Sequence, residues 1–553
     1  MTTAPELALE AVALAARGDD KAASRLFDEG LAHFPSDARF INSAGNFHAK
    51  AGRDERAVAL FRRALVVAPG LLEAAVNAGI ALQRLGRSDE AVALLRAHEY
   101  DGTDDPRYWS TRGNAERTSG DLTSAAISLE RALRLSPTNA AALAGRARAA
   151  LERGESRAVD DYERALAQRP GDPQLIHDYA QALAEAGRGA EALALSSALV
   201  HQLPHWVQGL TLHAALRWAA DEREQFDDHF AAAARGIQTS AVHLAWANTL
   251  AGVDRQREAV EVLAQARAQW PGDGRLALAH AVATGESGDG VGAEELFAAG
   301  EAGNAGWDLA RARNLLRLGR PAIAEELLAP IAQADLTNVT AWALRDISWR
   351  MSGDPRQEWL HGQPGLVRSI DFEVPDFVGA RLLLERLHEH SGMPIGQSVK
   401  GGSQTRGALL SRCEPQIASI RTALECVLAV YRAGLPAADP THPLLSRRDT
   451  AWTITGSWSV RFDGGGHHAA HIHPNGIVST ACYFTVPDEV EEQGAPGWLE
   501  LGRPPPEMAV PIDALSSHKP RESSCVLFPS TLFHGTRPIR AGRRMTIAFD
   551  VTA

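Results

Sequence analysis

Lysine is nearly absent from this chain. Lys21, Lys50, Lys400 and Lys519 stand among 56 basic residues, and the rest are arginine. That skew reads as coding bias and says little about function. Basic residues are also outnumbered by 68 acidic ones, giving a formal charge of −12 over 553 residues. A nucleic-acid binder needs a cationic face, so no nucleic-acid partner is expected. Nearly all of the negative charge lies before residue 356, so a partner steered electrostatically to that part should be neutral or basic. Cysteine is scarce too. Cys413, Cys426, Cys482 and Cys525 all lie in the last third without CxxC spacing, which argues against a disulfide framework or a zinc knuckle. Cys482 alternates with apolar neighbours and reads as a buried structural thiol. No apolar run approaches the roughly 18 residues of a membrane helix. No basic stretch precedes an apolar segment near Met1. The expectation is a soluble, cytoplasmic protein with no membrane partner. Its 45% hydrophobic and 22% charged residues suit ordinary globular domains.

What the chain does have is a period. Gly18, Gly52, Gly86, Gly120 and Gly154 are 34 residues apart, and Gly187 follows at 33. Ala23, Ala57, Ala91 and Ala125 come five residues after the first four glycines, and Ala192 stands so to Gly187. Pro35, Pro69, Pro137 and Pro204 hold the seventeenth place, with Thr103 substituting once. Glycine permits the tight turn between two antiparallel helices, alanine lets them lie close, and proline ends the second helix. These residues resemble the tetratricopeptide repeat. From about residue 205 the register blurs, although Ala259, Ala266 and Pro271 and then Gly319 and Ala324 recover parts of it. Trp206, Trp218, Trp246, Trp270, Trp307, Trp342 and Trp349 suggest bulkier hairpins up to about Gly353, with a turn at Asp354-Pro355. The expected architecture is an all-α solenoid over 1–355, with clear repeats over 5–204 and divergent ones over 205–355. Its concave groove is suited to a peptide or protein, and the plainer alternative is that the array serves dimerisation (a homo-oligomer) or scaffolding.

Beyond about residue 365 the period changes. Gln416–Ala433 reads as one amphipathic helix between Pro415 and Gly434. Short β-rich runs follow: Trp452–Phe462, Ile477–Val486, Trp498–Leu501, Ser524–Phe528 and Arg544–Val551. Such strands over about 100 residues suit a jelly roll, with 502–520 as an excursion at one mouth. Histidines gather here, in Gly464-Gly-Gly-His-His-Ala-Ala-His-Ile-His-Pro-Asn475 and in Phe533-His534-Gly535. His471 and His473 share one face of an extended chain, and His534 can join them from another strand. Neutral imidazoles suit iron, zinc, copper or nickel. Arg544, ten residues after His534, is costly to bury without an anion, and Thr546 lies on its face. A guanidinium with a hydroxyl beside it suits bidentate carboxylate recognition. A metal plus a deep carboxylate receptor points to a dicarboxylate co-substrate.

With Gln397-Ser-Val-Lys-Gly-Gly-Ser-Gln-Thr405, Ser479, Tyr483 and Val526-Leu-Phe-Pro-Ser530 added, residues 390–553 resemble the 2-oxoglutarate- and Fe(II)-dependent dioxygenases. The likeness is to the bacterial branch of oxygenases appended to tetratricopeptide repeats. It implies a double-stranded β-helix domain with flanking helices over 356–553, Fe(II) and 2-oxoglutarate as cofactors, and molecular oxygen as co-substrate. It implies His471 and His534 as iron ligands and Arg544 with Thr546 on the distal carboxylate. Tyr483 and Asn475 are assigned to the pocket wall. The usual third ligand is a carboxylate where this chain has His473. Three readings therefore stand: His471, His473 and His534 bind iron together; or water or a carboxylate such as Asp463 replaces His473; or the metal site has degenerated. His467 and His468 are expected in the loop or beside the ligands. The implied function is hydroxylation of a peptide or protein side chain held by the repeats. The alternatives are the same chemistry on a small molecule, a non-catalytic repeat adaptor, and a three-histidine dioxygenase independent of 2-oxoglutarate.

Overall fold

The computed structural model describes residues 3–236, 239–300 and 303–553. Among these there are 24 α-helices and nine strands, and nearly all of the helices precede the strands. The chain divides into two compact units, Met1–Ala182 and Leu183–Ala553.

The first unit is a run of helical hairpins such as Ala38–Lys50 with Asp54–Val67 and Leu72–Arg84 with Ser88–Ala97. The glycines that set the period have positive φ, as at Gly52 (70°) and Gly86 (73°), and Arg53 N–H closes the turn on His48 O at 2.9 Å. Ala57, Ala91 and Ala125 are completely buried. The structure also shows a second series of small residues, Gly45, Gly79 and Gly113, again 34 apart. A Cβ at these positions would lie 2.5, 2.9 and 2.6 Å from Phe61, Leu95 and Leu129 of the following helix. Close helix contact thus depends on glycine from one side as much as on alanine from the other.

The second unit continues the hairpins from Gly189–Gln202 to Val339–Ser352, adds the short helix Arg356–His361, and then turns to strands. Trp218, Trp307, Trp342 and Trp349 are buried within these helices. The change from helix to strand comes close to the expected division at 355/356, whereas the compact units part at 182/183.

The strands are β1 (Arg368–Asp371), β2 (Val399–Gln404), β3 (Thr453–His468), β4 (Val478–Thr485), β5 (Leu499–Leu501), β6 (Ser516–His518), β7 (Ser524–Pro529), β8 (His534–Thr536) and β9 (Arg543–Thr552). They form two antiparallel sheets, ordered β1-β7-β4-β9-β3-β2 and β6-β5-β8. Alternation gives the large sheet two different faces. Cys482, Phe484, Cys525, Leu527, Met545, Ile547, Phe549 and Val551 pack outward against helices Phe377–His388 and Pro415–Ala433. Tyr483, Val526 and Phe528 pack inward against Leu499 and Leu501 of the small sheet. This is the jelly-roll sandwich with flanking helices, and the inward face is where site residues belong. Cys482 is buried as expected, opposite Cys525.

Two further contacts place the site. Ile472, Phe533 and Met508 join a hydrophobic cluster with Leu315, Leu328 and Leu344, so the last helical hairpins pack directly on the strands that carry the histidines. Between Phe377–His388 and β2 the chain lies along the turn of another hairpin. There Gly396 N–H donates to Gly252 O at 2.9 Å, and Lys400 pairs with Asp254 at 2.6 Å.

Two buried histidines outside the site make stability depend on pH. Leu444 and Leu445 N–H both donate to Nδ1 of His442, while its Nε2–H faces Leu360 O at 2.9 Å, so the ring is neutral by construction. Burial lowers its pKa to about 4 and that of His388 to about 3. An unfolded histidine titrates near 6.5, so below that pH only the unfolded chain takes up these protons. The contribution is complete above about 6.5 and is lost as the pH falls towards 4 for His442 and towards 3 for His388. The urea midpoint should fall across this window, with each histidine contributing up to about 1.4 kcal/mol per pH unit. His442→Asn should lessen the slope, and an equal slope in the variant would contradict this account.

Candidate metal centre

β3 ends at His468, and the chain then crosses to β8, where His471 N–H donates to His534 O at 3.0 Å and His534 N–H to His471 O at 2.9 Å. This isolated bridge fixes two histidines directly opposite each other. Ile472 turns away into the helical core, and alternation returns His473 to the face of His471. Ring centroids are 4.2 Å apart for His471 and His534, and 4.9 Å for each other pair. One nitrogen from each residue lies within 4.8 Å of the others.

The remaining nitrogens define what that cluster can bind. Nδ1 of His471 meets Ala469 O at 2.8 Å, and Nδ1 of His534 meets Leu532 O at 3.1 Å. Nδ1 of His473 meets the Asp550 carboxylate. Carbonyls and carboxylates only accept, so each Nδ1 carries the proton and each Nε2 of a neutral ring carries a lone pair. Nε2 of His471 and of His473 nevertheless lie 2.9 Å apart. A proton on one of the two rings, or a metal ion bound by both, satisfies that contact. Burial lowers the His471 pKa to about 3, with His473 adding to the effect, and it pushes His534 well below the usual histidine range. Three imidazoles oriented through their far nitrogens make a donor set for a borderline metal such as Fe(II). Trp458 packs against His473 at 5.3 Å and Phe528 against His534 at 4.8 Å, giving the cluster an apolar wall.

The carboxylate at this site is Asp550, behind His473. Asp463 lies elsewhere: it is half-exposed and paired with Arg461 at 2.9 Å and Arg543 at 2.6 Å, so it is not brought to the histidines. Asp550 lies on the β9 face that also carries Arg544 and Thr546, while Met545, Ile547 and Phe549 face the opposite core. Arg544 is only 2% exposed, and no carboxylate pairs with it among the described residues. Its Nε and the Tyr483 hydroxyl are buried and have no hydrogen-bond partner beyond each other. Its guanidinium carbon lies 5.4 Å from the Tyr483 ring centre, and Tyr483 faces Thr546 across the β4–β9 ladder. An uncompensated buried guanidinium is costly, so this end of the cavity calls for an anion. The donor set and this orphaned charge together fit a metal with a carboxylate co-substrate.

Arg544, Thr546 and Tyr483 are thus brought together. Asn475 is not, since it is exposed in the turn after His473. His467 and His468 end β3, paired with Lys400 and Val399 of β2, and are not in a loop. His468 stacks on His471 at 6.1 Å and shares the Ser398 hydroxyl with it. Sequence reasoning missed Asp550, although counting by twos from Arg544 through Thr546 reaches it. It gave no role to Ser398, which lies some seventy residues from the histidines it touches.

Comparison with known families agrees with this arrangement. Residues 456–550 match the family described as "Putative 2OG-Fe(II) oxygenase". Residues 9–71, 48–115, 110–173 and 156–216 match tetratricopeptide-repeat models. The N-terminal part therefore carries tetratricopeptide repeats, and the C-terminal part carries a domain of that oxygenase family. Among solved structures, a tetratricopeptide repeat protein from Parabacteroides merdae is 16% identical, covering 44% of this chain and 97% of its own, with a TM-score of 0.37. PilW, a type IV pilus biogenesis factor, is 18% identical over 38% and 97%, with a TM-score of 0.35. A thermophilic TPR protein of Thermus thermophilus is 25% identical over 33% and 99%, with a TM-score of 0.28. Scores this low add nothing to the repeat assignment. No curated protein matches the chain.

Asp550→Asn should weaken Fe(II) or Zn(II) binding by about 10- to 100-fold, because the carboxylate orients His473 and raises its basicity. Asp463→Asn should leave it unchanged. Competition with a chromogenic chelator measures both, and equal effects of the two substitutions would contradict the assignment.

Proposed function

We propose that the chain is a 2-oxoglutarate- and Fe(II)-dependent oxygenase that hydroxylates a side chain of a peptide or protein captured by its repeats. The observation that carries this reading is the pairing of three convergent imidazoles with a buried Arg544 that no carboxylate neutralises among the described residues, on the same inner face. Bound iron would supply the oxygen chemistry, with 2-oxoglutarate as the reductant that leaves as succinate and carbon dioxide.

The chain's own residues do the rest. His471, His473 and His534 hold the ion, and Ala469 O, Asp550 and Leu532 O hold the three rings in the tautomer that leaves Nε2 free. Arg544 and Thr546 take the distal carboxylate, and Tyr483 packs against the guanidinium while offering its hydroxyl to the same anion. Trp458 and Phe528 keep water from the histidines. Tetratricopeptide repeats commonly bind peptides and proteins, and a captured chain would have a raised effective concentration at the oxygenase domain.

Turnover of 2-oxoglutarate to succinate, measured with Fe(II) and a peptide library, tests the reading. Peptide should stimulate turnover. Arg544→Ala should raise the KM for 2-oxoglutarate by about 100-fold, the worth of a charge-assisted contact. Arg544→Lys, which keeps the charge but loses the fork, should fall between the two. Turnover indifferent to peptide would remove the substrate class, and an unchanged KM in both variants would remove the 2-oxoglutarate assignment.

A further inference from the structure

Ser398 lies in the chain just before β2, and its place is fixed through backbone pairing: Ala469 N–H donates to Ser398 O at 2.8 Å, and Val399 is paired with His468. Its hydroxyl is thereby held 3.3 Å from Nε2 of His471 and 3.2 Å from Nδ1 of His468. Nδ1 of His471 already donates to Ala469 O, so Nε2 is an acceptor and the Ser398 hydroxyl donates to it. With Nδ1 engaged, that nitrogen is also the one left to face His473 in the cluster. A hydroxyl has a single proton, and once a metal takes the lone pair that proton needs another acceptor. An oxygen ligand on the metal beside His471 is the group that arrives there. His468 completes the arrangement, because its Nδ1–H can donate to the Ser398 oxygen and turn the hydroxyl proton outward. The His468 ring is held edge-on by Phe462 at 5.3 Å.

We infer that Ser398, backed by His468, positions the metal-proximal carboxylate of a 2-oxo acid co-substrate by donating a hydrogen bond to its oxygen. This rests on the iron and 2-oxoglutarate reading above. It divides recognition of the dicarboxylate between two ends: Arg544 and Thr546 hold the distal one, and Ser398 orients the one next to the metal. The competing role for Ser398 is purely structural, as a brace for the His471 ring, and the two roles differ in what they do to metal affinity.

The experiment is an anaerobic titration of the full chain, first with Fe(II) alone and then with 2-oxoglutarate, following the visible charge-transfer band of the chelated 2-oxo acid. Ser398→Ala should keep Fe(II) affinity within about threefold of wild type, lose about tenfold in 2-oxoglutarate affinity and shift the band. Ser398→Thr, which restores a hydroxyl, should recover both. Wild-type 2-oxoglutarate affinity and an unmoved band in Ser398→Ala would overturn the inference while leaving the iron reading intact. A matching loss of Fe(II) affinity in Ser398→Ala would overturn it in favour of the structural brace. Failure of the wild-type chain to bind Fe(II) or 2-oxoglutarate would overturn the reading on which it rests.

Discussion

Three imidazole lone pairs are pressed together in the interior of the C-terminal sandwich, and much of the surrounding structure serves to keep them there. Each ring is turned by an acceptor at its far nitrogen, two of them backbone carbonyls and one the Asp550 carboxylate. Burial removes the proton that would otherwise relieve the crowding at His471 and His534. Three imidazoles turned this way make a donor set that a metal ion could complete. The substitution of His473 for the usual carboxylate ligand then has a physical counterpart. The negative charge is not lost from the centre but moved one residue out, to Asp550, which reaches the metal position through the imidazole ring. The ion would meet a neutral donor set with an anion behind it, so the charge balance is softer than with a direct carboxylate ligand.

The helices of the second unit take part in this constraint. Ile472 separates two of the histidines and Phe533 precedes the third, and both side chains point out of the sandwich into a core shared with Leu315, Leu328 and Leu344. Polar contacts fasten the same interface: His361 bridges Asp346 and Thr531, at 2.9 Å each, and Arg350 reaches the carbonyls of Gly502 and Asp513. The segments that carry the three histidines are therefore packed against the last hairpins of the array. These hairpins keep buried small residues at the repeat positions, Ala312 and Ala324, while their other apolar side chains answer to the sandwich.

Much of this was legible in the sequence, for definite reasons. The turn glycines needed positive φ, and the alanines needed zero volume to spare, so both recur at a fixed period. The long strands β3, β4, β7 and β9 have enough alternation to be seen. β5 is as short as β6 and β8 but carries two leucines, whereas β6 (Ser516–His518) and β8 (His534–Thr536) hold no apolar residue and β2 is rich in glycine, so no strand pattern shows there. The histidines were found because an HxH pair on an extended chain has a shared face. Asp550 is not legible because nothing local ties a carboxylate near the end of β9 to a histidine 77 residues earlier. Ser398 was hidden for a different reason. Its role arises from β2 pairing with the end of β3, a long-range contact that no local pattern announces. Asn475 was drawn towards the pocket by its nearness to His473 in sequence, yet the turn at Pro474 points it to solvent.

The account stands or falls on whether iron occupies the space between the three Nε2 atoms. Crystals of the chain grown anaerobically with Fe(II) and 2-oxoglutarate, measured above and below the iron absorption edge, would answer this directly. The account predicts a single anomalous peak shared by His471, His473 and His534, with His473 still bonded to Asp550 and a carboxylate seated on Arg544. A peak that leaves His473 unligated, or no peak at this cluster, would contradict it.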